Sequence, residues 1–304
     1  MVAPPPPGFS LPEPASLPSR AGGGAAHLAP EGVAAYFRRA GTPGGGAEGL
    51  YETGAGTGGR FAGLRLSSAF QPLLYAHSLL PAAHEALLRV EDGQGRALSP
   101  ADAFARAADA GEMVYLDRLC RMIHVLNFVR QRAPDDDLYL NVHGGHLLGV
   151  AGGHGSTFEM LLRHCALSPR RVVLEIIEAG IDDIGHLSEA VDAYRARGYR
   201  VAIDDFGCQH SNFDRLWRLS PDIVKLDRSL VVQATLNPRA RRMLPRLVEL
   251  IHELDASVVC EGIETPEQHA LAIDAGADLL QGFLYARPAA DLFQSRSGLA
   301  LVGG

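Results

Sequence analysis

The sequence predicts an α/β protein built as a TIM-like (β/α)8 barrel, and three observations carry that prediction. From about Leu64 onward, short apolar or β-branched runs alternate with longer stretches of helical periodicity. Eight such runs can be counted, and eight strands with intervening helices over roughly 230 residues suit a barrel. Acidic and amide side chains recur along runs that, as buried parallel strands, would otherwise be wholly apolar.

In order, the runs are 67–74, 85–90, 138–142, 172–177, 200–204, 222–226, 257–261 and 278–283. Between them, 117–131, 186–197 and 239–254 place apolar residues three and four apart, as amphipathic helices do. The first 60 residues differ, with nine Pro and 14 Gly, a composition above the roughly 25 to 30% at which segments fail to pack. They read as a disordered tail, with one or two helical turns available over 30–40, where Val33, Tyr36 and Phe37 share a face. The expected division is therefore a tail over 1–60, a catalytic domain over 61–296 and a short C-terminal tail over 297–304.

The formal net charge of −7 argues against a binder of duplex nucleic acid, whose phosphates are held by clustered Lys and Arg. An anionic ligand would have to be held locally. Cys120, Cys165, Cys208 and Cys260 are scattered and form no CxxC pair, so neither a disulfide framework nor a zinc site is expected. A signal peptide and a membrane-spanning apolar run are both missing from this sequence. Those features predict a protein of the reducing cytoplasm, without membrane insertion.

The polar residues on the runs are the candidates for chemistry. LYLNV carries Asn141, VVLEIIE carries Glu175, VAIDDFG carries Asp204 and Asp205, DIVKLD carries Lys225 and VVCEGIE carries Glu261, while Glu85 opens EALLR and Gln281 closes ADLLQG. A barrel gathers the C-terminal ends of its strands on one face, where active sites are built. Any one of these residues could be a strand-end cap, but the repetition across strands favours a shared site. Five carboxylates in one mouth repel, each pair at about 5 Å by roughly 3 kcal/mol at an effective dielectric near 20. One lysine does not neutralise them, whereas divalent cations do. An all-oxygen set of Asp, Glu and Asn suits Mg²⁺ or Mn²⁺ rather than zinc. Adjacent Asp204 and Asp205 allow one carboxylate to bridge two ions, an arrangement recurrent in phosphoester cleavage.

Taken together, QP at Gln71, EALLR at Glu85, LNV at Asn141, EIIE at Glu175, DDFG at Asp204, KLDRS at Lys225, EGIET at Glu261 and QGFLYARP at Gln281 resemble the EAL domain of cyclic-di-GMP phosphodiesterases. This resemblance implies a barrel variant with an antiparallel first strand, and hydrolysis of cyclic-di-GMP to linear 5′-pGpG by two metals, Mg²⁺ or Mn²⁺, with Ca²⁺ inhibitory. It implies that Glu85, Asn141, Glu175 and Asp204 ligate one ion, and that Asp204, Asp205 and Glu261 ligate or surround the second. Lys225 would hold the attacking water, with Glu264 and Gln281 as supports. Arg89 would meet a substrate phosphate, and Gln71, Leu87 and Pro288 would line the substrate site. Glu178 would anchor the loop after DDFG, and the resemblance implies a homodimer through that loop.

Departures from the family pattern concentrate there, because DDFGCQHSNF stands where DDFGTGYSSL is usual. Cys208, Gln209 and His210 are the first of the changes, which bear on dimer geometry and regulation more than on the chemistry. Cys260 reads as a small buried apolar residue. His143, His146 and His154, in a Gly-rich stretch, read as solvated loop residues. The nearer rival to catalysis is a cyclic-di-GMP receptor or protein-binding module on the same fold, and the more distant one is another barrel metalloenzyme, such as a proton-abstracting enolase type. The complete set of metal-ligand positions favours catalysis.

Overall fold

The computed structural model describes residues 30–40, 47–131, 135–150, 153–177, 184–208 and 213–294. In chain order these form α1 (Glu31–Ala40), β1 (Ala47–Thr53), β2 (Gly56–Phe61), β3 (Leu64–Tyr75), β4 (Pro81–Glu91), β5 (Ala97–Leu98), α2 (Pro100–Asp109) and α3 (Met113–Arg130). Next come β6 (Asp137–Val142), α4 (Gly144–Gly149), α5 (Ser156–His164), β7 (Val172–Ile177), α6 (Ile184–Arg195), β8 (Arg200–Phe206) and α7 (Phe213–Leu219). The series closes with β9 (Ile223–Leu226), α8 (Arg228–Leu236), α9 (Pro238–His252), β10 (Ser257–Cys260), α10 (Pro266–Ala275) and β11 (Leu279–Leu280). Every one of the eight runs becomes a strand. The last is shorter than the sequence reading, because the backbone leaves the sheet after Leu280.

The chain divides into two compact units, one of residues 1–68, 88–132 and 145–168, the other of 69–87, 133–144 and 169–304. The second holds the barrel. Its strands follow the order β3-β11-β10-β9-β8-β7-β6-β4, and a β3–β4 pairing closes the ring. Neighbours from β4 and β6 round to β10 and β11 pair in parallel, whereas β3 runs antiparallel to β11. This is the TIM-like barrel with an antiparallel first strand.

Inside the barrel lies one apolar layer to which all eight strands contribute: Leu73, Ala83, Tyr139, Val173, Ala202, Ile223, Val259 and Leu279. Side chains alternate between the faces of a strand. A residue two places from each member therefore points inward again, one layer along the barrel axis.

In the first unit, α3 lies against β1 and β2. The glycines of β2 make that packing possible, since a Cβ on Gly59 would come within 2.5 Å of Ile123 Cδ1. On α1, Val33 and Phe37 are buried, and Phe37 meets the Tyr115 ring edge-on at 5.6 Å. The helical turns read over 30–40 form as α1, and the expected tail over 1–60 is corrected at 47–53 and 56–60, where β1 and β2 form. Glycine there serves close approach as well as chain freedom. Residues 1–29 and 295–304 lie outside the described residues.

The Gly-rich stretch after β6 also departs from its reading. His146 and His154 are buried, and His146 Nδ1 lies 3.2 Å from Asp117 Oδ2 of α3. His143 is half-buried.

Candidate active site

Stepping two residues from the apolar layer, toward the C-terminal ends of the seven parallel strands, gives Glu85, Asn141, Glu175, Asp204, Lys225, Glu261 and Gln281. On the antiparallel β3 the same step runs the other way and gives Gln71. All eight are sequence candidates. The next layer of the barrel is therefore polar all round, because strand alternation brings one side chain from each strand into it.

Lys225 sits at its centre, fully buried. Its Nζ lies 2.9 Å from Asp204 Oδ1, 2.7 Å from Glu261 Oε1 and 3.6 Å from Glu85 Oε2, and it also contacts Glu175 Oε1. Asn141 Nδ2 donates to Glu85 Oε1 and Glu175 Oε2, each at 3.3 Å. Gln281 Nε2 donates to Glu85 Oε2 at 2.7 Å, and to Gln71 Oε1 at 3.4 Å. These amides set the rotation of Glu85 and Glu175 while leaving other carboxylate lone pairs open.

Asp205, next to Asp204, would leave the barrel interior if β8 stayed regular. Instead Asp205 takes a left-handed backbone, φ +54°, and the β8–β9 register shifts between Ile203 and Phe206. Both carboxylates consequently line one cavity of about 330 Å³, together with Glu85, Lys225, Glu261 and Gln281. Asp204, Asp205 and Glu261 offer oxygens that all lie within 4.8 Å of one another, a spacing that could hold a metal ion.

The electrostatics reflect an excess of negative charge. Burial, then Glu85, push the Glu175 carboxyl well above its ordinary range, against the pull of Lys225. Burial likewise raises Glu261, to about 8, opposed by Lys225 and reinforced by Asp204 and Glu85. Asp205 is raised by burial and by Asp204. For Lys225 burial acts downward, but Glu175, Glu261, Glu85 and Asp204 outweigh it and hold the ammonium well above its ordinary value. One ammonium among five carboxylates leaves a hard, oxygen-only, electron-rich site that could hold a metal ion.

Leu87 is half-buried and Arg89 exposed, both on the Glu85 face of β4 by alternation. Pro288 is half-buried, beside Ala289, which bridges to Phe70. Glu264 lines the cavity and accepts from Arg228 Nη2 at 2.6 Å, while its backbone N–H donates to Gln268 Oε1 at 2.7 Å. The 261–264 loop is pressed onto the end of β11, where a Cβ on Gly282 would stand 2.0 Å from the Ile263 carbonyl oxygen. Cys208 is exposed and its N–H donates to the Asp205 carbonyl at 3.3 Å. Glu178, Gln209 and His210 lie outside the described residues. Burial pushes the Cys260 thiol up to about 12, in keeping with a packing role.

A model of the EAL domain matches residues 60–288. The chain belongs to the EAL domain family. RocR of Pseudomonas aeruginosa, named a cyclic di-GMP phosphodiesterase, is 35% identical to this EAL chain over 153 residues, half of the chain and 38% of RocR. PdeL of Escherichia coli, which carries the same activity in its name, is 28% identical over 222 residues, 72% of the chain and 61% of PdeL. The chain thus spans less than two thirds of either relative. Among solved structures, the manganese and cyclic-di-GMP complex of Klebsiella pneumoniae BlrP1 superposes with a TM-score of 0.67 at 27% identity, over 75% of this chain and 57% of BlrP1.

Arg228 and Phe283 also line the cavity, and sequence reasoning assigned neither a role. Arg228 stands inside KLDRS and Phe283 inside QGFLYARP, so position within those motifs was the available signal. Charge and apolar character alone did not separate them from ordinary surface residues.

Proposed function

We propose that this EAL domain hydrolyses cyclic-di-GMP to linear 5′-pGpG with two divalent ions, Mg²⁺ or Mn²⁺. The observation that carries the reading is the polar barrel layer, in which buried carboxylates outnumber the single lysine. Glu85, Asn141, Glu175 and Asp204 would hold one ion, and Asp204, Asp205 and Glu261 the other. Such ions, when bound, supply positive charge that eases loss of a proton from water and offsets charge on the departing 3′ oxygen.

The chain's own groups do the rest. Lys225 orients the attacking water by donating to it, and Asp205, the most exposed of the acids, takes the proton that water gives up. Gln281 and Glu264 keep Glu85 and the 261–264 loop in place. Arg89 pairs with a substrate phosphate, while Gln71, Leu87 and Pro288 shape the walls around the guanine nucleotides. Among the described residues no helix is long and apolar enough to cross a membrane, and the protein acts in the cytoplasm. It works as a homodimer through the loop after DDFG, a reading supported by the exposed Phe213 and Trp217 on the helix that follows. Equilibrium sedimentation should show a dimer that Trp217→Ser weakens.

The deciding assay incubates purified protein with cyclic-di-GMP and Mg²⁺, Mn²⁺ or Ca²⁺, and separates products by chromatography. pGpG should appear with Mg²⁺ or Mn²⁺, and Ca²⁺ should suppress it, because its larger, looser coordination polarises water less. Binding without product under every metal would overturn catalysis and leave a receptor.

A further inference from the structure

We infer that helix α9 docks this protein onto an anionic lipid surface. Leu244, Val248 and Ile251 form its buried face. At 100° per residue, Arg239, Arg242 and Arg246 stack on the opposite pole, all exposed, with Arg241 exposed to one side. Among the described residues none of the four arginines has a side-chain hydrogen bond or ion pair. Such a cluster is unusual in a chain of net charge −7.

Its position is also unfavourable for the helix itself. Arg239 and Arg241 fall in the first turn, which contains no acidic residue, and Arg242 follows directly, at the end where the helix dipole is positive and carboxylates are the stabilising choice. Three cations there repel the dipole and one another. An external anion relieves both repulsions, and phosphate groups suit arginine's planar fork.

Two features favour a lipid surface over an acidic protein. Met243 is exposed at 67% and Leu250 at 45%, seven residues and about 10 Å apart on one flank of the same helix. These are isolated apolar side chains that can each enter the headgroup boundary, with arginine stems lying alongside. A protein partner buries its anchors in apolar pockets, whereas the hollow at this face is lined by Arg239, Arg241, Arg242, Arg246 and Glu249 around Met243 and Pro245.

The test is co-sedimentation of the full chain with vesicles of phosphatidylcholine alone, or of an equal mixture with phosphatidylglycerol, at low and high salt. Wild type should bind only the mixed vesicles and be released by salt. Arg242→Gln with Arg246→Gln should weaken binding by about tenfold or more, and Met243→Ser with Leu250→Ser by less. Arg96→Gln, whose side chain pairs with Asp92, should leave binding unchanged. Circular dichroism melts confirm that each variant is folded. Absence of binding to mixed vesicles, retention on immobilised polyglutamate without vesicle binding, or equal losses in the α9 and Arg96 variants would each overturn the proposal.

Discussion

Two buried charge clusters, one in each unit, differ in their balance. In the first unit Asp117 contacts Arg121 and His146, and the Arg121 guanidinium lies 4.6 Å from the centre of the Phe158 ring. Burial foremost pushes His146 down to about 3, although Asp117 pulls the other way, so the imidazole is neutral and one cation faces one anion. In the barrel, Lys225 faces an excess of carboxylates. A balanced buried pair completes itself and belongs to the architecture. An unbalanced one keeps surplus negative charge, which protons or cations can offset.

The sharpest way to break the comparison is to neutralise one acid in each cluster. Asp204→Asn should lower hydrolysis by more than the about 10- to 100-fold typical of groups that merely support a ligand. It should also raise the melting temperature of metal-free protein, because it removes like-charge repulsion. Asp117→Asn should do the reverse: a loss of about 3–5 kcal/mol of stability, as for any buried pair broken on one side, with activity per folded molecule unchanged. Melting curves that fall equally in both variants would end the distinction.

The clusters should also answer pH in opposite directions. Glu175 and Glu261 have folded values above the ordinary carboxylate range, so the folded state holds protons that the unfolded chain releases. Their stabilising contribution is whole below the ordinary value near 4.5 and is lost as pH climbs toward 8. His146 and His124 are depressed to about 3, and their contribution is whole above about 6.5 and lost as pH falls toward 3. Metal-free protein should therefore show a stability maximum between those arms, measurable as melting temperature against pH. Saturating Mn²⁺ at about a hundred times its dissociation constant should lift the alkaline arm by about 2.7 kcal/mol and leave the acid arm far less affected. The smallest effect is expected for Cys260→Ala, which should leave the rate and its response to oxidant unchanged.

The contrast also marks what the sequence could disclose. Lys225 and its acids were legible because each stands on an apolar run, where a charge needs a reason, and because period-two alternation carries all of them to one layer. Asp117, Arg121 and His146 were not, since α3 is buried nearly all round and no one-sided helical pattern exposes the exception. The order of β1 and β2 was hidden for a related cause: their glycines resemble those of a loop until α3 is laid across them. Asp205's left-handed backbone was equally invisible, because a non-glycine residue at positive φ leaves no compositional trace.

The two-residue step from the apolar layer to the polar one has a consequence for variation. Between the paired positions, such as Val173 and Glu175 or Val259 and Glu261, strand length is quantised. Inserting one residue would turn an acid of the layer outward, into the apolar packing around the barrel, and a buried apolar residue such as Leu174 or Cys260 inward, whatever residue was inserted. Lineages of this chain can therefore lengthen the loops beyond the strand ends freely, but can trade chemistry at the layer only by substitution, one strand at a time.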